Sequence, residues 1–147
     1  MAETRSKLVI VGIGDDGLAG MTESARRIVA EAGLVLGAPA TLRLLEGFGG
    51  KKVPLEADMP AALRQVRDAL AAERPVLVSG GDPLFYGVAR YLCDRLGKDQ
   101  FEVVPHVSSM QLAFARVKES WEDAYLTSLA GRPLEAVVDR IRTAEKV

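Results

Sequence analysis

A single cysteine and a single histidine in 147 residues close off two ways of holding a small protein together. One cysteine cannot form an internal disulfide, and with one histidine it cannot assemble the ligand set of a structural zinc site. No metal is expected, and a reducing cytoplasm is the expected compartment. Neither sign of charge is in excess, with 19 Lys and Arg against 20 Asp and Glu and a net charge of −1. No sequence-wide field draws in a polyanion, so nucleic acids and membrane surfaces are disfavoured as general partners. No apolar run approaches the roughly 18 residues of a membrane span. The opening MAETRSK leads into a short strand-like run without the apolar stretch of a signal peptide.

What is present is turn-forming residues and short apolar runs. The 14 glycines and 7 prolines imply many tight turns but not low complexity. Four runs rich in Val, Ile and Leu stand out: KLVIVGI at 7–13, GLVLG at 33–37, PVLVSG at 75–80 and FEVVP at 101–105. Each is apolar on both faces, as in a parallel sheet covered on both sides. A weaker run, KKVPL at 51–55, contains Pro54, which cannot donate to a ladder and so marks an edge or a strand end. Between the runs lie single-striped helical patterns. Leu63, Val66 and Leu70 form one, and Leu84, Val88, Leu92 and Leu96 form another. Alternation of this kind predicts an α/β fold, an open and mainly parallel sheet flanked by helices over residues 1–115. After Val117 the pattern changes. AYLTSL at 124–129 reads as a new strand and PLEAVVDRIRTAEK as a helix, so residues 1–117 are expected to form one domain and 118–147 the cut-off start of a second α/β domain.

In such a fold the informative residues belong in the strand-to-helix turns. Gly12-Ile13-Gly14-Asp15-Asp16-Gly17 matches G-x-G-x-x-G after a strand, which raises a dinucleotide-dependent oxidoreductase as one reading. Against it, the helix N-cap falls at Thr22, five residues late, and Asp15 and Asp16 put negative charge where a pyrophosphate would lie. The second strand also ends LGAP, without an acid for a ribose hydroxyl. A plain chain-reversing turn is the alternative. Ser79-Gly80-Gly81-Asp82-Pro83-Leu84-Phe85-Tyr86-Gly87 is more specific. Two glycines after a buried strand let a ligand approach the backbone, and Asp82 with Pro83 reads as the N-cap and first residue of a helix. Pro105-His106-Val107-Ser108-Ser109-Met110-Gln111 closes the next strand, with Ser108 and Gln111 at capping-box spacing. His106, without co-ligands, reads as a turn or surface residue, and Cys93 as a small packing residue.

Taken in order, VGIGDDG at 11–17, SGGDPLFYG at 79–87 and VVPHVSSMQLAFARV at 103–117 resemble the three N-terminal signatures of the tetrapyrrole methylase family. The tail at 120–138 resembles the branch that methylates carbon 5 of the corrinoid precursor precorrin-7 in cobalamin biosynthesis. The resemblance implies two α/β domains with S-adenosylmethionine between them, and a homodimer. It implies that Gly80, Gly81, Asp82 and Phe85 line the cofactor with Ser108 and Ser109, and that Gly14 and Asp15 lie beside cofactor and tetrapyrrole. Gly81→Val is then expected to weaken cofactor binding while leaving the fold largely intact. Arg116, Lys118 and Arg132 are candidates for pairing with the tetrapyrrole's carboxylates. Three positions depart from the family pattern: Asp15 stands where proline is common, His106 where glycine is common, and Ala130 where the carbon-5 branch often has histidine. Other acceptors within the family, a non-catalytic domain of a larger fusion, and fusion or partnership with a decarboxylating methyltransferase complete the set of readings.

Overall fold

The computed structural model describes residues 7–129 and 133–147. The chain divides into two compact units, one ending at Ser108 and the other beginning at Ser109. The first unit is built on five strands: β1 (Leu8–Ile13), β2 (Leu34–Gly37), β3 (Lys51–Pro54), β4 (Pro75–Gly80) and β5 (Phe101–Val104). They form one sheet in the order β3-β2-β4-β1-β5, and every pairing is parallel. The four strong apolar runs are thus strands within a residue or so of their expected bounds. The weak run is an edge strand, with Pro54 at its end opposite Gly37. Its exposed Lys51 and Lys52 discourage pairing with another chain.

Alternation along the strands feeds two cores, one on each face. Leu8, Ile10, Leu36 and Leu77 pack with Ala62 and Val66 of α3 (Met59–Ala72) and with Ala89 and Leu92 of α4 (Gly87–Cys93). Val11, Ile13, Val35, Val76 and Val78 pack with Ala25 and Val29 of α1 (Glu23–Ala30) and with Leu42 of α2 (Pro39–Arg43). Each fully buried Leu or Val contributes on the order of 1.5–3 kcal/mol from apolar surface removed from water. The expected α/β architecture, with helices on both faces of a parallel sheet, is therefore present in this unit.

Helix ends follow their caps. Thr22 Oγ1 accepts from the Ala25 amide at 3.2 Å at the start of α1, where the sequence placed the cap. Asp58 Oδ2 accepts from the Ala61 amide at 2.9 Å at the start of α3. The segment expected to be one helix from Asp82 to Leu96 is shorter, because Tyr86 (φ 62, ψ 178) and Gly87 (φ 85) both lie at positive φ and break it. Asp82 caps a turn instead. Its Oδ1 accepts from the Leu84 amide at 2.9 Å and its carbonyl from the Phe85 amide at 3.0 Å. Leu84, expected on the buried stripe, is 50% exposed as a result.

In the second unit, α5 (Ser109–Val117) ends with the Lys118 amide donating to Ala115 and the Glu119 amide to Phe114, a Schellman arrangement with Lys118 at φ 59. The expected helix near the C-terminus is α6 (Glu135–Thr143). The expected strand at 124–129 is not formed. No partner strand meets it among the described residues; the Tyr125 amide donates instead to the Lys146 carbonyl at 2.9 Å, one tie rather than a ladder.

Candidate functional site

The chain leaves β1 for β2 across β4, and leaves β4 for β5 across β1, so the connections after these two adjacent strands run in opposite directions. α1 packs on one face and α4 on the other, so the topological switch point lies at the C-terminal ends of β1 and β4. Such a switch point is where open α/β sheets bind ligands. Register places Gly12 beside Ser79 and Ile13 beside Gly80 at this edge, and Val11 beside Val104. Three loops converge there: 14–22 after β1, 81–86 after β4 and 105–108 after β5.

Backbone contacts knit the loops together. The Gly81 amide donates to the Ile13 carbonyl at 2.8 Å, and the Gly81 carbonyl accepts from the His106 amide at 3.3 Å. Gly12 lies so close beneath them that a Cβ there would collide with the Gly81 carbonyl and come within 2.6 Å of the His106 nitrogen. Gly81 itself has φ +62, and a Cβ on it would sit 3.1 Å from Ser108 Cα. The conformation required at Gly81 is therefore set by the chain's own packing, and Gly81→Val strains the fold, contrary to the expectation of an intact one. Gly80 differs: it is exposed, and nothing lies within 4 Å of where its Cβ would be.

The remaining sequence-predicted residues fall as follows. Gly14 is half-buried under the His106 ring, with the ring's Cε1 3.0 Å from a Cβ at this position. Asp15 is exposed in the first loop. Asp82 uses its carboxylate in the turn described above. Phe85 is half-buried and meets Tyr86 edge-on, with ring centroids 5.0 Å apart. Ser108 is buried, at 4% exposure, and Ser109 opens α5. The structure thus brings Gly81 and Ser108 into direct contact, and places Gly14 against the same loop through His106. Arg116 and Lys118 are exposed in the second unit; Arg132 and Ala130 lie outside the described residues.

All three glycines of the G-x-G-x-x-G match serve the fold. Gly12 admits the two neighbouring loops, Gly14 seats His106, and Gly17 takes φ +61 with its Cβ position against the Leu44 carbonyl. The helix that would face a pyrophosphate begins only at Glu23, after a 3₁₀ turn over Gly17–Gly20. The dinucleotide fingerprint therefore lacks its geometry. Two features were not legible as site features from the sequence: the His106 side chain, whose Nε2 lies 3.0 Å from the Gly20 carbonyl, and the positive φ of Tyr86. Among the described residues no group of three His, Cys, Asp or Glu could hold a metal ion, and no helix is long and apolar enough to cross a membrane.

Residues 7–145 match the tetrapyrrole (corrin/porphyrin) methylases. The chain belongs to this family. It is 34% identical over 147 residues to the decarboxylating precorrin-6Y C(5,15)-methyltransferase of a Sinorhizobium species, covering 95% of this chain and 34% of that one. The probable cobalt-precorrin-7 C(5)-methyltransferase of Methanocaldococcus jannaschii is 32% identical over 146 residues, covering 95% of this chain and 69% of the relative. That of Salmonella typhimurium is 34% identical over 128 residues, covering 85% and 62%. The chain thus spans only about a third to two thirds of the length of these curated relatives. Among solved structures, the precorrin-6Y methylase of Archaeoglobus fulgidus superposes with a TM-score of 0.67 at 24% identity, covering 82% of this chain and 62% of that one. A uroporphyrin-III C-methyltransferase of Thermus thermophilus complexed with S-adenosyl homocysteine gives 0.59 at 26% identity, covering 73% and 47%. The tetrapyrrole methylase fold is shared with both.

Proposed function

We propose that this tetrapyrrole methylase is an S-adenosylmethionine-dependent C-methyltransferase acting on carbon 5 of a corrinoid precursor, precorrin-7 or cobalt-precorrin-7, in cobalamin biosynthesis. The observation that carries the reading is that three relatives at 32–34% identity, matched over 85–95% of this chain, are all named for methylation at this carbon. The geometry supports it. Gly80 leaves open backbone at the switch point, where a ligand can approach the end of β4 without meeting a side chain. Gly81, Asp82, Phe85 and Ser108 would flank it, and Gly14 and Asp15 would form the wall on the β1 side.

S-Adenosylmethionine supplies an electrophilic sulfonium methyl. Because the donor is cationic and carries no phosphate, the exposed carboxylates of Asp15 and Asp16 are compatible with it, as they are not with a pyrophosphate. The protein's task is then to hold a nucleophilic ring carbon in line with the methyl at near-attack distance, which supplies much of the acceleration without a paired acid and base. Transfer would leave the C–S electron pair on sulfur, giving S-adenosylhomocysteine, and would release one proton from the macrocycle as the new C–C bond forms.

Residues 118–147 belong, in this reading, to the start of a second α/β domain, and the working protein is a cytoplasmic homodimer. Fusion or partnership with a decarboxylating methyltransferase is supported by the Sinorhizobium relative, which carries "decarboxylating" in its name and is almost three times as long as the matched segment. The test is thermal unfolding of the complete protein with S-adenosylmethionine, S-adenosylhomocysteine, NAD or NADP at matched concentration. Binding to the folded state raises the midpoint by mass action. A shift with the methyl donor or its product is expected. A shift with NAD alone would replace the methyltransferase by an oxidoreductase.

A further inference from the structure

The short 3₁₀ turn Gly17–Gly20 between β1 and α1 ought to be loose. It contains two glycines, and the last carbonyls of a short helix have no helical partner. Yet four consecutive carbonyls across it each receive a side-chain donor. Arg26, on α1, gives Nε to the Leu18 carbonyl at 3.0 Å and one terminal nitrogen to those of Ala19 and Met21, both at 3.3 Å. His106, 86 residues away at the end of β5, reaches the Gly20 carbonyl with Nε2 at 3.0 Å. A carbonyl only accepts, so this contact is a hydrogen bond in the tautomer that carries the proton on Nε2; Nδ1 lies farther from its nearest carbonyl, that of Val107, at 3.4 Å. The guanidinium fork binds the turn from its own helix, and the imidazole binds it from the neighbouring loop. Beneath the ring, Gly14 leaves the space the imidazole occupies, and the Asp16 carboxylate folds back over Gly20.

We infer that His106 is a positioning residue which, together with Arg26, holds the first loop in the shape that walls the cofactor cleft. Resting on the methyltransferase reading, this assigns the β1 wall of the site to a cross-loop hydrogen bond rather than to the glycine motif. The ordering cost of a two-glycine turn is met within the folded protein, so less is left to be met when the ligand binds.

Three variants of the complete protein separate the bond from the packing. His106→Phe keeps a ring over Gly14 but has no donor, His106→Gln restores an amide donor near the Nε2 position, and Arg26→Ala removes the other three tethers from an exposed site. Two readouts are taken: amide exchange in the turn, with Gly17 as reporter through its bond to the Gly14 carbonyl at 3.0 Å, and calorimetric Kd for S-adenosylhomocysteine. His106→Phe is expected to speed exchange at Gly17 while β4 amides stay unchanged. It should weaken binding about five- to tenfold, the worth of one net hydrogen bond. His106→Gln should recover most of both. Arg26→Ala should loosen the same turn, and serves alone if His106→Phe does not fold. Unchanged exchange in the variants, or faster exchange with unchanged Kd, overturns the inference. If the wild type does not bind S-adenosylhomocysteine, the functional reading fails, while exchange still decides whether His106 holds the turn.

Discussion

The amide of Gly81 donates to the carbonyl of Ile13 at 2.8 Å, carrying the β1–β4 ladder one residue beyond the register pair of Ile13 and Gly80. Both polar groups of the Gly81 backbone are thereby used inside the protein, since its carbonyl takes the His106 amide. Gly80, one residue earlier, is left with open space beside it.

This difference separates three substitutions. Gly12→Ala pushes a methyl into the Gly81 carbonyl and the His106 nitrogen, backbone atoms that cannot step aside, and should cost about 3 kcal/mol or more. Gly81→Ala forces a Cβ onto φ +62 and against Ser108, for about 1–2 kcal/mol. In Gly80→Val the new Cβ has nothing within 4 Å and the residue is exposed, so stability should stay within about 0.5 kcal/mol of wild type. S-Adenosylmethionine affinity, by contrast, should fall at least about tenfold, a loss of roughly 1.4 kcal/mol, because the branched side chain would stand in the open space at the end of β4. Urea midpoints and calorimetric titration read the two effects separately, and undiminished affinity in Gly80→Val would remove Gly80 from the site.

The sheet was legible because its strands are covered on both faces. Val35 and Leu36 feed opposite cores, as do Val76 and Leu77, so their segments are apolar at every position rather than alternating. The edge strand was legible from Pro54, which cannot donate to a ladder. The helix after β4 was misjudged because a stripe from Leu84 to Leu96 matches helical spacing whether or not the backbone can follow it. Positive φ at Tyr86 decides that it cannot, and no pattern of side chains announces a left-handed tyrosine. At the candidate site the turns were legible, but the ties between them were not. The bond from His106 to Gly20 joins residues 86 apart, and only the placement of β5 beside β1 brings them together.

Cys93, on α4, provides a test of electrostatics away from the site. Burial raises the pKa of its thiol and the neighbouring Asp94 carboxylate raises it further, with a partial offset from a backbone hydrogen bond. A raised acid favours the protonated form in the folded state. That contribution is complete below the unfolded thiol's pKa and is lost as pH rises through the folded value. The stability difference between wild type and Cys93→Ala should therefore be flat at neutral pH and fall above about pH 9. Alkylation by iodoacetamide at mildly alkaline pH should be slower than that of a free cysteine peptide, since the thiolate is the nucleophile. A folded-state rate equal to the peptide's would contradict the burial.

Tyr86 carries the clearest backbone strain in the candidate site. With φ 62 and ψ 178 it occupies a region that is close to glycine-only, at a cost of order 1–3 kcal/mol. Its ring is half-buried against Phe85, so removing the side chain loses packing as well as strain. Comparing Tyr86→Ala with Tyr86→Gly cancels the packing, because both lose the ring. At ordinary positions inside regular structure alanine is more stable than glycine by about 0.5–1 kcal/mol. Here the order should reverse, with Tyr86→Gly more stable than Tyr86→Ala by about 1 kcal/mol, because only glycine accepts this conformation without a Cβ clash. Equilibrium unfolding in urea measures the difference directly. If alanine proves the more stable, Tyr86 is not held at positive φ, and the break that delays α4 until Gly87 must come from Gly87 alone.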